Sequence, residues 1–487
     1  MIKENIVSII KGNTKYPILP YNPNKIYGEF SDFNKINLEL DENNSVYEMV
    51  RDCFIKLELD KTNIGTKAWN PLGELVSKGE NVVIKPNLVY HNHPLGEEGI
   101  LSMISNASII RPIIDYILLA TDGDIKITIC DVPLQSANWE EIIKYSGLEE
   151  LVNFYKKNSV NISLLDLRLE ISTQNKEGII ISREKIERDP LGYTAVNIGE
   201  NSSLMPIIKY SKKFEITDYG SGTVEKHHNK DINEYLVPNT ILNSDLFINI
   251  PKFKTHRKAG ITFGLKNIVG INGDKSWLAH HRKGAKNEGG DEYDKFTINS
   301  WLRTNMIGYL KQSKLGIVIT KVLYRVYRII VLKGVEPKKV YMEGNNKPIT
   351  EGSWYGNDTI WRCIKDLNNI IFFTDKNGIL QKNKQRKYLL VGDGIMGGDK
   401  EGPMEQTPKY PGIIIGGFNP VYTDSVAATI MGFDYKKIPQ IKECFNNNYY
   451  ILCNNTFEEI IWKSNLKDIK KLNLKFIPSV NWKKHLQ

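Results

Sequence analysis

Residues 244–281 read SDLFINIPKFKTHRKAGITFGLKNIVGINGDKSWLAHH and carry the clearest chemical signal in the chain. Leu246–Ile250 reads as a buried strand. It stops at Pro251 and is followed by Lys252, Lys254, His256 and Lys266. Ligands bind at the carboxyl ends of strands in open α/β sheets. An imidazole titrates near neutral pH, and neighbouring ammonium groups lower its pKa and hold it neutral, which suits a base. This pattern predicts an acid–base residue, His256, beside Lys252, Lys254 and Lys266, which would neutralise an anionic substrate; Asn267 belongs to the same run. A helix expected to begin near Gly260 would add backbone N–H groups for the anion, and Gly260, Gly264 and Gly270 would let the backbone approach it. The plain alternative is an exposed basic turn with solvated lysines.

Three other stretches carry weaker signals. Lys85-Pro86-Asn87 ends an apolar run, where a lysine can hold a phosphate or carboxylate as a point charge. His91 and His93 follow at the i, i+2 spacing that points side chains the same way on an extended chain, as a metal pair or as solvated loop histidines. Asp393-Gly394 through Gly402-Pro403 reads as an acidic, glycine-rich loop. Asp393 and Glu401, joined by Asp424, would suit Mg²⁺ or another divalent cation, which takes oxygen ligands. That loop lacks EF-hand or Walker spacing, and a simple turn, with Asp424 as a helix N-cap, explains it equally well. Gly356-Asn357-Asp358-Thr359 reads as a helix start, with Arg362 one turn in and within reach of an anion there.

These residues need a scaffold. Residues 1–45, rich in Pro, Asn and Tyr, predict an extended arm. Residues 46–275 predict the first part of an α/β core, 276–350 a polar loop and basic helical insertion, and 351–487 the second part of the core. Strands are expected at 81–84, 125–130, 162–167, 246–250, 387–392 and 412–415, with helices at 46–60, 108–120, 140–155, 351–373 and 424–431. Strands alternating with helices imply a parallel or mixed sheet flanked by helices, with loops gathered at one edge.

Composition narrows the class. Hydrophobic residues make up 41% and charged residues 25% of 487, which is ordinary for a globular protein. Cys53, Cys130, Cys363, Cys444 and Cys453 form no C-x-x-C pair, which argues against an iron–sulfur cluster and for reduced thiols in the cytoplasm. The short apolar run at the N-terminus does not read as a signal peptide, and no charge-free run is long enough for a spanning helix. Of the net charge of +9, residues 297–335 supply seven basic side chains and no acidic one, leaving about +2 elsewhere. Lys314, Lys321, Arg325 and Arg328 would share one helical stripe amid aliphatic residues. A membrane-surface helix over 314–333 has this pattern, and so does a helix packed on its own domain. The localised charge, with no matching reading motif, argues against nucleic acid.

VVIKPNLV (82–89), Asp131-Val132-Pro133, INIPKFKTHRKAGITFGLKNIVG (248–270), and VGDGIMGGDKEGP with NPVYTDSVAATIMGFD (391–434) together resemble the DUF362 family. RDPLGYTAVNIG (188–199), GGDEYD (289–294) and WYGNDTIWRCIKDL (354–367) are similar to its long form, which lacks a ferredoxin domain. The resemblance runs from about residue 15 to 440 and implies an α/β fold and a site at Lys85, Asn87, Lys254, His256, Lys266, Asn267, Asp393, Gly402 and Asp424. It implies no settled reaction. The expectation is therefore an enzyme acting on an anionic, phosphorylated or carboxylated small molecule or conjugate by transferase, lyase or hydrolase chemistry. The alternative is a binding protein for such a ligand, docked on a membrane through 314–333.

Overall fold

The computed structural model describes residues 2–37, 39–174, 180–217, 219, 222–296, 349–446 and 449–486. The expected basic helix within 297–335 lies outside them. Eleven strands form one mixed sheet. In chain order they are β1 (Ile6–Lys11), β2 (Asn81–Pro86), β3 (Lys126–Asp131), β4 (Ile162–Asp166), β5 (Leu246–Ile250), β6 (Lys252–His256), β7 (Gly260–Thr262), β8 (Lys387–Glu401), β9 (Glu405–Lys409), β10 (Ile413–Gly417) and β11 (Ile461–Ser464).

The spatial order is β11-β1-β10-β8-β5-β2-β3-β4. From β8 through β5, β2 and β3 to β4 every pairing is parallel. The chain lays β2, β3 and β4 outward in one direction, then returns to place β5 on the other side of β2. That reversal makes the β2/β5 junction a topological switch point, where the loops leaving the two strands diverge and open a crevice. Beyond β8 the sheet turns antiparallel through β10 and β1.

Side-chain alternation covers both faces. Val82, Ile84, Ile127, Ile129, Ile248 and Ile250 enter one core; Val83, Cys130, Phe247 and Leu390 enter the other. The first core lies under α1 (Ser45–Lys56), α3 (Ile110–Thr121) and α5 (Leu148–Lys157), while α2 (Gly96–Met103) stands near β8 and β9. The second core lies under α7 (Ile360–Phe373) and α8 (Pro420–Met431). Between them α6 (Gly264–Asn267) is a single turn after β7. The helix expected over 140–155 is two, α4 (Trp139–Ser146) and α5, broken at Gly147, whose φ of +75° ends the first. All five cysteines are buried and unbridged. Among the described residues no single helix is long and apolar enough to cross a membrane.

Three expectations change. The first 45 residues are not only an arm, because five of the six residues of β1 are buried, between β10 and β11. Gly260 starts a strand rather than a helix, at a φ of +82°. The stretch expected to be an acidic loop is the far half of β8, which runs unbroken to Glu401. Its glycines serve close packing: a Cβ on Gly397 would sit 2.5 Å from the Phe253 carbonyl oxygen.

The crossing of β6 and β8 is held by charge. Lys252 stands opposite Asp393 in register, and Nζ lies 3.0 Å from Oδ2 with both side chains fully buried. Tyr16, from the N-terminal arm, donates its hydroxyl to Asp393 at 2.9 Å, and the Asn106 N–H donates to Oδ2 at 2.9 Å. Breaking a buried pair strands a charge, so Asp393→Asn should cost about 3 kcal/mol in urea unfolding, and a loss under about 1 kcal/mol would deny the pair this role.

Candidate functional site

The crevice at the switch point is lined by lysines. Lys85, at the end of β2, is 1% exposed and pairs with Asp131, at the end of β3, at 2.7 Å. The other Asp131 oxygen accepts from the Leu88 N–H at 2.7 Å. Gly270 lies against this pair, where a Cβ would come 2.4 Å from Asp131 Oδ1 and 2.6 Å from Lys85 Nζ.

Lys254 leaves β6 fully buried and meets only neutral acceptors, Asn87 Oδ1 at 2.9 Å and the Met103 carbonyl at 2.6 Å. Burial first, then Lys252 and Lys266, hold its pKa well below the usual lysine range. Lys275 donates to the Val269 carbonyl at 3.3 Å, and burial pulls its pKa down to about 7. Lys266 is half-buried on α6 and takes no hydrogen-bond or ion-pair partner among the described residues. Burial, then Lys258 and Lys85, lower it to about 8. Among the described residues none of Lys254, Lys266 and Lys275 forms an ion pair, so the crevice carries more buried ammonium groups than carboxylates.

A chain of amides spans the crevice. Asn87 donates to Asn267 Oδ1 at 3.0 Å, Asn267 donates to Asn249 Oδ1 at 2.7 Å, and Asn249 donates to the Gly264 carbonyl at 2.9 Å. Lys85 also reaches Asn267 Oδ1, at 3.3 Å. The amides thus link β2, β5 and α6 and orient the lysines without adding negative charge.

His256 closes β6 at the turn into β7. Its Nδ1 accepts from the Lys258 N–H at 3.0 Å and the Ala259 N–H at 3.2 Å. With Nδ1 committed as an acceptor, the ring proton sits on Nε2. Burial first, then Lys266, Arg257, Lys254 and Lys258, keep the pKa well below 6.5, so the ring is neutral. This corrects the expected role. The nitrogen that could act as a base is occupied, and the other presents an N–H, which makes His256 a hydrogen-bond donor.

The remaining predicted residues separate from this cluster. The three carboxylates expected to share a cation are not gathered, and no group of three or more His, Cys, Asp or Glu suited to a metal occurs among the described residues. Asp393 holds Lys252 and Tyr16. Glu401 accepts from the Val480 N–H at 2.8 Å and from Ser479 at 3.1 Å. Asp424 is not an N-cap, since Asn419 caps α8. Instead Asp424 is buried, which raises its pKa well above the usual carboxylate range, and it accepts the Leu265 N–H at 3.1 Å, so the start of α6 is capped by the protein's own carboxyl group. Arg362 is tied to Asp358 at 3.0 Å and the Ser203 carbonyl at 2.8 Å. His91 and His93 diverge: His91 Nδ1 accepts from the Asn138 N–H, and His93 Nδ1 from the Leu95 N–H.

Sequence reading missed Lys275, Asn249 and Tyr16, and did not see Asp131 as the partner of Lys85. A polar residue inside the apolar run Leu246–Ile250 was the available signal for Asn249; nothing local marks Tyr16.

A family model described as Domain of unknown function (DUF362) matches residues 192–429. Residues 192–429 are thus similar to DUF362 domains. The match covers β5 to β10, hence Lys252, Lys254, His256, Lys266 and Asn267. Lys85, Asn87 and Asp131 lie N-terminal to it and join the DUF362 residues through the sheet. No curated protein matches the chain. It is similar to the crystal structure of a Thermotoga maritima protein solved as a Northeast Structural Genomics Consortium target, at 12% identity and a TM-score of 0.31. That likeness covers 76% of this chain but 56% of the other, so the chain spans little more than half of that protein's length.

The packing of Gly270 against the Lys85–Asp131 pair gives a direct check. Gly270→Ala should lower stability by about 1–3 kcal/mol in urea unfolding, as overpacking of a buried contact does, whereas a neutral effect would show that the backbone there yields easily.

Proposed function

We propose that this chain is an enzyme acting on an anionic small molecule bound at the β2/β5 switch point. The observation that supports this most is the surplus of lysines, with the buried Lys254 and Lys275 and the half-buried Lys266 lacking carboxylate partners among the described residues. Buried charges in proteins are paired or neutralised by a pKa shift, and these lysines are shifted. An arriving carboxylate or phosphate supplies the missing negative charge and restores the protons of Lys254 and Lys275. A purely structural cluster would be better served by apolar residues.

Within this reading Lys254 and Lys275 hold the anion, Lys85, Asn87 and Asn267 orient them, and Lys266 stands beside the anion with its amine unengaged among the described residues. The Nε2–H of His256 donates to a substrate oxygen on which negative charge develops. A neutral imidazole suits this role because it stabilises the oxyanion without being a strong acid. The carboxylates expected to hold a divalent cation are engaged elsewhere, and the reading needs none of them.

The lowered pKa values set the sign of a pH test. In the anion-free fold Lys275 and Lys266 lose protons near pH 7 and 8, whereas in an unfolded chain they would hold them to about pH 10.4. The unfolded state binds more protons between those limits, so stability without anion should rise with pH across that window. Bound sulfate should raise the Lys275 pKa, so binding takes up a proton and weakens by about tenfold per pH unit above about pH 7. Titration calorimetry in buffers of different ionisation enthalpy measures this uptake, and pH-independent sulfate affinity would remove Lys275 from the site.

His256→Ala should cost about 1–3 kcal/mol of stability, because two turn N–H groups lose their acceptor, while keeping sulfate binding and lowering turnover by a factor on the order of 10²–10³. The assay is a screen of phosphorylated and carboxylated metabolites, and unchanged turnover would sink the assignment.

A further inference from the structure

We propose that Lys266 is a nucleophile that forms an imine with the carbonyl carbon of a small 2-oxo acid, an inference that rests on the anion site proposed above. The geometry sets Lys266 apart from its neighbours. The Leu265 N–H is held by Asp424 at 3.1 Å, and the Leu265 carbonyl accepts from Asn368 at 3.0 Å. On the other side the Asn267 amide is locked to Asn249 at 2.7 Å and to Asn87 at 3.0 Å. The backbone is thus clamped before and after Lys266, while its amine meets no protein acceptor among the described residues. The other lysines of the crevice are engaged: Lys85 by Asp131, Lys252 by Asp393, Lys254 by Asn87, Lys275 by the Val269 carbonyl and Lys258 by Thr217.

A lysine attacks carbonyl carbon only as the free amine, and desolvation beside other cations is how that form is populated. With a pKa lowered to about 8, Lys266 is roughly one-quarter free amine at pH 7.5, against about a thousandth for an ordinary lysine. Lys254 pairs in register with Thr262 and His256 with Gly260 on β7, the strand that leads directly into the turn carrying Lys266. A substrate whose carboxylate and carbonyl are adjacent can therefore meet all three groups, its carboxylate at Lys254 and its carbonyl oxygen at the His256 N–H.

The step balances without a further reagent. The amine nitrogen bonds to the carbonyl carbon while the π pair of the C=O bond moves to oxygen. The proton lost by nitrogen goes to that oxygen and gives a carbinolamine. Expulsion of water then forms the C=N bond, and one proton from solvent makes the iminium. Amine and ketone condense, water leaves, and nothing is oxidised.

The test is reductive trapping on the full chain with pyruvate and cyanoborohydride at pH 7.5, followed by peptide mapping. Lys266 should gain the carboxyethyl group at least on the order of tenfold faster than exposed lysines such as Lys226, and sulfate should slow it. Lys266→Arg should lose the fast label while sulfate binding, followed by calorimetry, persists. Labelling of Lys266 at the surface rate with sulfate binding intact overturns the imine and leaves the anion site standing. Absence of both fast labelling and sulfate binding overturns the imine together with the anion site beneath it.

Discussion

The physical constraint around which this molecule is organised is the burial of several ammonium groups at one place with fewer carboxylates to meet them. Moving a cation out of water costs several kcal/mol even after relaxation. The fold meets that cost in different ways at neighbouring positions. Asp393 and Asp131 neutralise Lys252 and Lys85 directly. Lys254 and Lys275 are solvated by carbonyl oxygens and an amide, and their protons are held loosely. Lys266 has neither solution among the described residues, so it is the position where the accounts of structure and of chemistry diverge.

The sheet topology makes this arrangement possible. Two strands leaving a switch point in diverging directions cannot close their loops over one another, so polar groups at their ends face a common space. Lys85, Asp131 and Asn249 come from strand ends, Lys254 and His256 from the strand that continues β5, and Lys266 and Asn267 from the turn that follows. The asparagine chain is the economical connector: each amide both donates and accepts, so it fixes geometry across strands while leaving the net charge to the lysines.

Much of this was legible in the sequence. Apolar runs ending in Lys-Pro or Pro-Lys marked β2 and β5, whereas the strand carrying Lys252, Lys254 and His256 was not expected, because charged residues after Pro251 read as a strand end. Helix periodicity located α1, α3 and α8. What could not be read is pairing across long separations. Nothing in the vicinity of Asp393 reveals that its partner is Lys252 rather than a metal, or that Tyr16 completes the pair from the other end of the chain. The glycines of 392–398 looked like a loop because glycine has the same signature where a chain turns and where two backbones press together. Gly260 was misread for a related reason: its positive φ serves the start of a short strand, and the helix begins only at Gly264.

His256 shows how backbone geometry, rather than residue type, decides a chemical role. A histidine among lysines invites assignment as a base, since the cations keep it unprotonated. The hairpin between β6 and β7 overrides that inference, because two successive N–H groups of the turn converge on Nδ1. One lone pair is thereby committed, and the ring is left with a proton to offer instead of one to take. The electrostatics and the turn act in the same direction: lysines that disfavour the imidazolium also strengthen the case for a neutral donor. Any proton removed from a substrate in this crevice would have to pass to another group, and the lysine whose amine is least engaged by the protein stands on the adjoining turn.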